Sequence, residues 1–473
     1  MKNIWILTEE MPKAGVIKTI LNKVSTDQGL EMVFQELRIV PLIEGGRFIF
    51  VYKVEGVTSK DFKEVYIKIA SGNSSFVDFL VFIQDEEPDQ SSEPLYAIEE
   101  TKTDDSESRN TGVYQRCSKF VYVEFYFPGV KKIMLYNLQI PQKKEPTETN
   151  IFGTRMLRTI GVEIIGKTYD AETMKPFSGL DEFIKVKSSM RKPPAGNVPI
   201  QVANNKDSIS ISGRLYKAGG IGHDPNIGAL TIMALCIRKW EKEKPIVITH
   251  HGLKQEHLGK NNKFIQIAKR LKISLEGLTL PDVSDNESYW HYENSQEKMA
   301  TIFLNVILVA YTTAKVIYAN HGGSERGYFI DKTSGPLAIG KYQEGKRDKY
   351  KAGDKTAIIF LPDVIVFDPK LNQIINVEGK RFATRKNGIA ELANFSYIEN
   401  ELIKPSYNPS SIVRTVAIFG GKETSIPEKE IGFLLNSNGD IILGKEAPSI
   451  FREAVDSLLL PQTGKVLVSA QNV

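Results

Sequence analysis

Two segments constrain the fold of this chain more than anything else in it. FVDFLVFIQDEEPDQSSEPLYAIEETKT, from Phe76 to Thr103, and LPDVIVFDPKLNQIINVEGK, from Leu361 to Lys380, each hold two runs rich in β-branched and aromatic residues around a polar turn containing proline. Such runs read as the two strands of a hairpin. Their surroundings are also alike, because a helical segment leads in and a helix and a further strand lead out. Strands alternating with helices in this way predict an α/β chain, its sheets flanked by helices.

The spacing along the chain fills in the rest. Gly15–Val24 and Leu30–Leu37 read as short helices, followed by strands at Phe48–Val54, Val65–Ile69, Phe76–Ile83 and Leu95–Thr101. A helix from Gly112 to Phe120 and a strand at Lys132–Leu138 come next. Pro193, Pro194 and Gly196 break both helix and ladder, which marks a boundary. Beyond it lie a strand at Ser208–Tyr216, a helix at Asn226–Lys242 and a strand at Pro245–Thr249. A long helix from Gln296, strands at Ala357–Asp368 and Gln373–Glu378, a helical stretch Gly388–Ile403 and a strand Ile412–Phe419 close the series. Three regions are expected: 1–190 and 296–473, each around one hairpin, and a middle α/β region, 191–295, suited to DNA recognition.

At 473 residues the chain exceeds what one core supports. A net charge of +4 is too small to announce a nucleic-acid partner by itself. Cys117 and Cys236 are the only cysteines and have no CxxC neighbour, which argues against a disulfide framework or a cysteine zinc site and for a reducing cytoplasm. The first residues lack the pattern of a secretory signal. Met299–Ala310, the most apolar helical stretch, is shorter than the roughly 20 residues that span a bilayer, so it is expected to be a core helix, with no membrane role. GxxxxGK[ST] and GxSxG patterns are absent, which removes support for ATP-driven and serine-hydrolase chemistry.

The hairpins carry the chemistry. The turn DPKLNQ is centred between Lys370 and Leu371, which is also the midpoint between Asp363 and Glu378, so these acids should face each other across the strands. Alternation puts Glu378 and Lys380 on one face. Two facing acids destabilise a ladder unless something neutralises them, most simply a divalent cation. In the first hairpin Pro88 and Asp89 fall in the turn, away from Lys102. The midpoint of Asp78 and Glu100 is Asp89, and alternation from Lys102 selects Glu100 over Glu99, so Asp78, Glu100 and Lys102 are the expected constellation.

These features resemble the PD-(D/E)XK nuclease superfamily, which includes most type II restriction endonucleases. The resemblance rests on Pro362, Asp363, Glu378 and Lys380 and on Asp78, Glu100 and Lys102, with Val77 where the family often has proline. It implies two restriction-endonuclease-like mixed-sheet domains with flanking helices, and a magnesium-dependent endonuclease hydrolysing double-stranded DNA, as a type II restriction enzyme does. Asp78, Glu100, Asp363 and Glu378 would hold Mg2+, and Lys102 and Lys380 would orient and deprotonate water. The chain would act as a monomer with one site per strand or as a homodimer. Two alternatives stay open: a repair or defence nuclease acting on modified, branched or RNA substrate, and a DNA-binding protein with one or both hairpins inactive.

DNA contacts are expected from Arg109, Asn110 and Gln115 after the first hairpin, from Arg214, Lys217 and Asn226 in the middle region, and from Arg381, Arg385 and Lys386 after the second. HDPNIGAL, from His223, reads as a capped helix start able to meet a phosphate. His250, His251 and His257 have poor metal spacing and are expected in structural or DNA-contact roles. The loop with His321 and Arg326 is expected near the second hairpin.

Overall fold

A computed structural model describes residues 1–72, 75–101, 112–137, 146–167, 172–190, 200–217, 220–221, 226–260, 262–284, 288–319, 328–338, 361–426 and 428–463. The chain divides into two compact units, one made of Met1–Ser71, Ile83–Glu87 and Tyr292–Val473, the other of Gly72–Phe82 and Pro88–His291. The class is mixed α/β, with parallel and antiparallel pairs in the sheets.

In the first unit, strand Lys2–Thr8 lies parallel to Phe62–Ser71, with Ile4, Ile6 and Leu7 fully buried. Val33–Glu44 and Arg47–Thr58 form a long antiparallel pair. The helix expected at Leu30–Leu37 is therefore replaced by a strand, because a short apolar spacing is ambiguous and pairing with a long neighbouring strand overrides local preference. Helix Ala14–Gln28 forms, closing on Gly29 in the left-handed region at φ 66°.

A six-stranded sheet in the same unit holds the second hairpin. Its order is Lys315–Ala319, Val364–Asp368, Gln373–Arg381, Ser411–Phe419, Ile431–Leu435, Ile441–Leu443. The first three strands are antiparallel, Ser411–Phe419 and Ile431–Leu435 continue in parallel, and the last turns back. Thr415–Phe419 and Ile431–Leu435 are buried throughout, as continuous apolar runs are when helices cover both faces of a sheet. One face meets helix Lys298–Tyr311, which is buried over most of its circumference and stacks Phe303 on Phe433 at 5.9 Å. The other face meets a helical run from Phe382 to Tyr407, where Ile365, Phe367, Ile374, Val416 and Ile418 pack against Leu392, Phe395, Ile398, Ile403 and Tyr407. This run changes pitch several times and includes a π-helical turn at Glu399–Ile403.

In the second unit, strand Tyr96–Thr101 pairs antiparallel with the strand beginning at Phe79 and parallel with Lys131–Tyr136, which is itself parallel to Val162–Ile165. A separate four-stranded sheet has Ile273–Leu275, Ile246–Thr249 and Ile209–Ser212 in parallel and Gln201–Asn204 antiparallel at its edge. Helix Asn226–Trp240, buried without interruption from Ile227 to Ile237, packs against helices Gly112–Tyr126 and Glu148–Thr159. Among the described residues, no helix is long and apolar enough to cross a membrane.

Candidate active site

The second hairpin has a short turn, and its register follows from it. Asp368 pairs with Gln373, Lys370 N–H donates to Asp368 Oδ1 at 2.9 Å, and Asn372 takes the left-handed conformation at φ 45°. The ladder runs back to Val364 opposite Val377, and the next pair outward is Asp363 with Glu378. The Asp363 carboxylate accepts a hydrogen bond from Gly379 N–H at 2.7 Å. Lys380 Nζ lies 2.5 Å from Glu378 Oε1 and 2.9 Å from a carboxylate oxygen of Glu391, on the covering helix Arg385–Glu391. Glu378 is 6% exposed, so these charges meet largely out of water.

Two glycines make room for this arrangement. A Cβ on Gly379 would stand 2.9 Å from Asp363 Oδ2 and 2.9 Å from Thr301 Cγ2. A Cβ on Gly388 would stand 2.6 Å from Lys380 Cγ, so the lysine stem passes where that helix has no side chain. Both contacts are shorter than packed atoms tolerate.

The electrostatics follow from burial and proximity. Burial pushes the Asp363 carboxyl up to about 6, against the hydrogen bond from Gly379 and the charge of Lys380. Burial and the neighbouring Asp363 push Glu378 up to about 8. For Lys380, burial disfavours the ammonium, but Glu378 and Glu391 outweigh it and hold the group cationic well above its ordinary range. A cationic Lys380 donates hydrogen bonds, which suits it to orienting a water.

The first hairpin differs by one residue from expectation. Phe79 pairs with Ile98, Leu80 with Ala97 and Val81 with Tyr96, so the next pair outward is Asp78 with Glu99, not Glu100. The connection has a turn of its own, where Asp89 Oδ1 accepts from Ser91 and Ser92, so the middle of the segment does not mark the centre of the hairpin. Register is set instead by which side chains are buried, and a slip of one exchanges the two faces of the strand. Glu100 therefore lies on the face opposite Asp78 and Glu99, with its Oε1 accepting from Asn137 Nδ2 at 2.8 Å. Lys102 lies outside the described residues. Among the described residues, the lysine that reaches the acids is Lys119, on helix Gly112–Tyr126, with Nζ 2.8 Å from Glu99 Oε2 and 3.8 Å from Asp78 Oδ1. Glu99 is 4% exposed, and burial together with Asp78 pushes its carboxyl up to about 8.

Neither Glu99 nor Lys119 belongs to the constellation that the sequence predicts. The signal for Glu99 was the unbroken apolar run before it, which identifies a buried strand. Lys119 carried no local signal, since only the packing of its helix brings it to the hairpin.

The expected DNA contacts divide. Arg381 and Lys386 are exposed beside the second hairpin. Arg385 is engaged within the fold, its Nε donating to Glu428 Oε1 at 2.8 Å and its guanidinium lying 4.2 Å from the Phe382 ring centre. Arg214 is exposed, and Asn226 Nδ2 donates to its carbonyl oxygen at 2.6 Å, tying helix start to loop. Arg109, Asn110 and the side chains of Gln115 and Lys217 lie outside the described residues, as do His223 and the loop with His321 and Arg326. His251 is fixed by Glu276 O at 2.9 Å and Leu253 N at 3.0 Å, and His257 by Lys254 N at 2.9 Å, all structural contacts.

Among the described residues, no group of three or more His, Cys, Asp or Glu side chains is arranged to hold a metal ion. Asp363 and Glu378 nevertheless form a hard-oxygen pair whose mutual repulsion a divalent cation would relieve. Magnesium commonly takes one or two protein carboxylates and completes its shell with water and substrate phosphate, so the donor set fits. Comparison with known protein families, with curated proteins and with solved structures finds no match to the chain.

Proposed function

We propose that the unit containing Asp363, Glu378 and Lys380 is a magnesium-dependent endonuclease acting on double-stranded DNA, with type II restriction as its biological setting. The observation that carries this reading is the convergence of one buried and one half-buried carboxylate and a lysine at the end of a hairpin. Around them stands the order that the PD-(D/E)XK resemblance implies: helix Lys298–Tyr311, antiparallel strands, a helical cover, then the parallel strand Ser411–Phe419.

In hydrolysis a water oxygen bonds to phosphorus and the bond from phosphorus to the leaving sugar oxygen breaks. The water gives up a proton to solvent, and the leaving oxygen takes one up. Asp363 and Glu378 would hold Mg2+, which when bound supplies charge neutralisation at the phosphate and acidifies the attacking water. The Gly379 N–H fixes the Asp363 carboxylate, and Lys380 Nζ, cationic between Glu378 and Glu391, donates a hydrogen bond that orients the water and offsets charge on the phosphate. Exposed Arg381 and Lys386 would grip neighbouring phosphates.

The test is cleavage of supercoiled plasmid with and without Mg2+. Glu378→Gln and Lys380→Met should each slow conversion of the plasmid to the linear form by roughly 100-fold or more under single-turnover conditions. Wild-type protein that leaves every DNA substrate intact in magnesium would end this reading.

A further inference from the structure

The two hairpins repeat one geometry with different residues. In both, an acid just before the first strand accepts from a backbone N–H on the second: Gly379 N to Asp363 Oδ2 at 2.7 Å, and Glu100 N to Asp78 Oδ2 at 2.6 Å. In both, the residue preceding that N–H is the facing acid, Glu378 or Glu99, and a parallel strand follows beyond a helix. The position that Lys380 fills is Thr101 in the first hairpin, buried and without a charge. Lys119 brings a cation from the intervening helix, 2.8 Å from Glu99.

A second observation at this place points to an anionic ligand. Arg116 is one turn before Lys119, its charge acts on Glu99, and its Nη1 is buried with no hydrogen-bond partner among the described residues. A buried guanidinium nitrogen without a partner is costly, and a phosphate oxygen satisfies it with a charge-assisted bond.

We propose that Asp78, Glu99 and Lys119 form a second phosphodiester-hydrolysing centre, with Arg116 as its phosphate contact and the lysine supplied by a helix instead of the strand. This rests on the reading of the second hairpin as a nuclease site. The bond changes are the same: water oxygen to phosphorus, phosphorus to leaving oxygen broken, one proton released and one taken up. Lys119 orients the water, and Glu100, on the other face of the strand, has no part in the chemistry.

Two readouts on the full chain test it. Mn2+ bound per chain, counted by electron paramagnetic resonance, should be two in the wild type and one in Glu99→Gln, while Glu100→Gln keeps two. The ion retained by Glu99→Gln serves as the control for folding. On supercoiled plasmid, Lys119→Met should stop at the nicked circle, while the wild type goes on to the linear form. A Mn2+ count that Glu99→Gln leaves unchanged, or linearisation by Lys119→Met at the wild-type rate, overturns the proposal. If Glu378→Gln still slows cutting in that case, the nuclease reading of the second hairpin stands without it.

Discussion

Lys380 is shaped by what its neighbours lack. Its stem passes Gly388, where a Cβ would come within 2.6 Å of Cγ, and its ammonium ends between Glu378 and Glu391. Alanine is favoured over glycine inside a helix by about 1 kcal/mol, so Gly388→Ala would gain helix stability if the lysine could give way. Because Lys380 would have to shift by tenths of an ångström or more, Gly388→Ala is expected to stay within about 1 kcal/mol of wild-type stability and to lose at least about 10-fold in cleavage rate. Urea melts and single-turnover cleavage together decide this; an unchanged rate would show that the lysine's position is not critical. The choice of Gly388 was not legible in the sequence, since a glycine near the start of a helix reads equally as tolerated punctuation.

At the scale of elements, the helical run from Phe382 to Tyr407 is anchored behind the site by an ion pair. Glu399, 5% exposed at the start of the π-helical turn, accepts from Arg414 Nε at 2.7 Å and Nη2 at 2.6 Å, and from Asn376 Nδ2 at 2.7 Å. Asn376 is two residues before Glu378 on the same face of its strand, so the network ties the helical cover to the strand that carries the site. Removing Arg414 strands a buried carboxylate. Arg414→Met should cost about 2–4 kcal/mol, and the double variant Arg414→Met/Glu399→Met less than the single one, because an unpaired buried charge is worse than an apolar pair. Chemical denaturation of both variants checks it, and a double variant less stable than the single would count against the network. A short turn such as DPKLNQ fixes its register from the sequence, whereas the longer connection before Tyr96 has its own internal turn and leaves register to the core.

For the molecule as a whole, the buried acids make stability depend on pH. Asp363, raised to about 6, and Glu378, raised to about 8, bind protons more tightly folded than unfolded, and Glu99, also raised to about 8, adds with the same sign. The folded state thus carries the extra protons, so stability is fully present below the ordinary carboxylate range and is lost as pH rises through these values. Around Asp363 and Glu378 the opposite charge of Lys380 limits the effect, and the like charges of Glu297 and Glu391 enlarge it. Chelator-treated protein should melt at lower temperature at about pH 8 than at about pH 5, and Asp363→Asn/Glu378→Gln should flatten that slope. Added Mg2+ should raise the wild-type melting temperature at the higher pH more than that of the double variant. A slope identical in the two proteins would mean that these acids are not strained by burial.

The sequence by itself determined that this is an α/β chain with two acid-bearing hairpins, because alternation and apolar runs are local properties. It also determined that Asp363 faces Glu378, because a tight turn transmits register directly to the strands beside it. Tertiary structure alone decided that Asp78 faces Glu99, since burial across neighbouring strands, not the loop, chose which face turned inward. It alone decided that Lys119 reaches Asp78 and Glu99, because helix packing brings together residues that no local spacing relates.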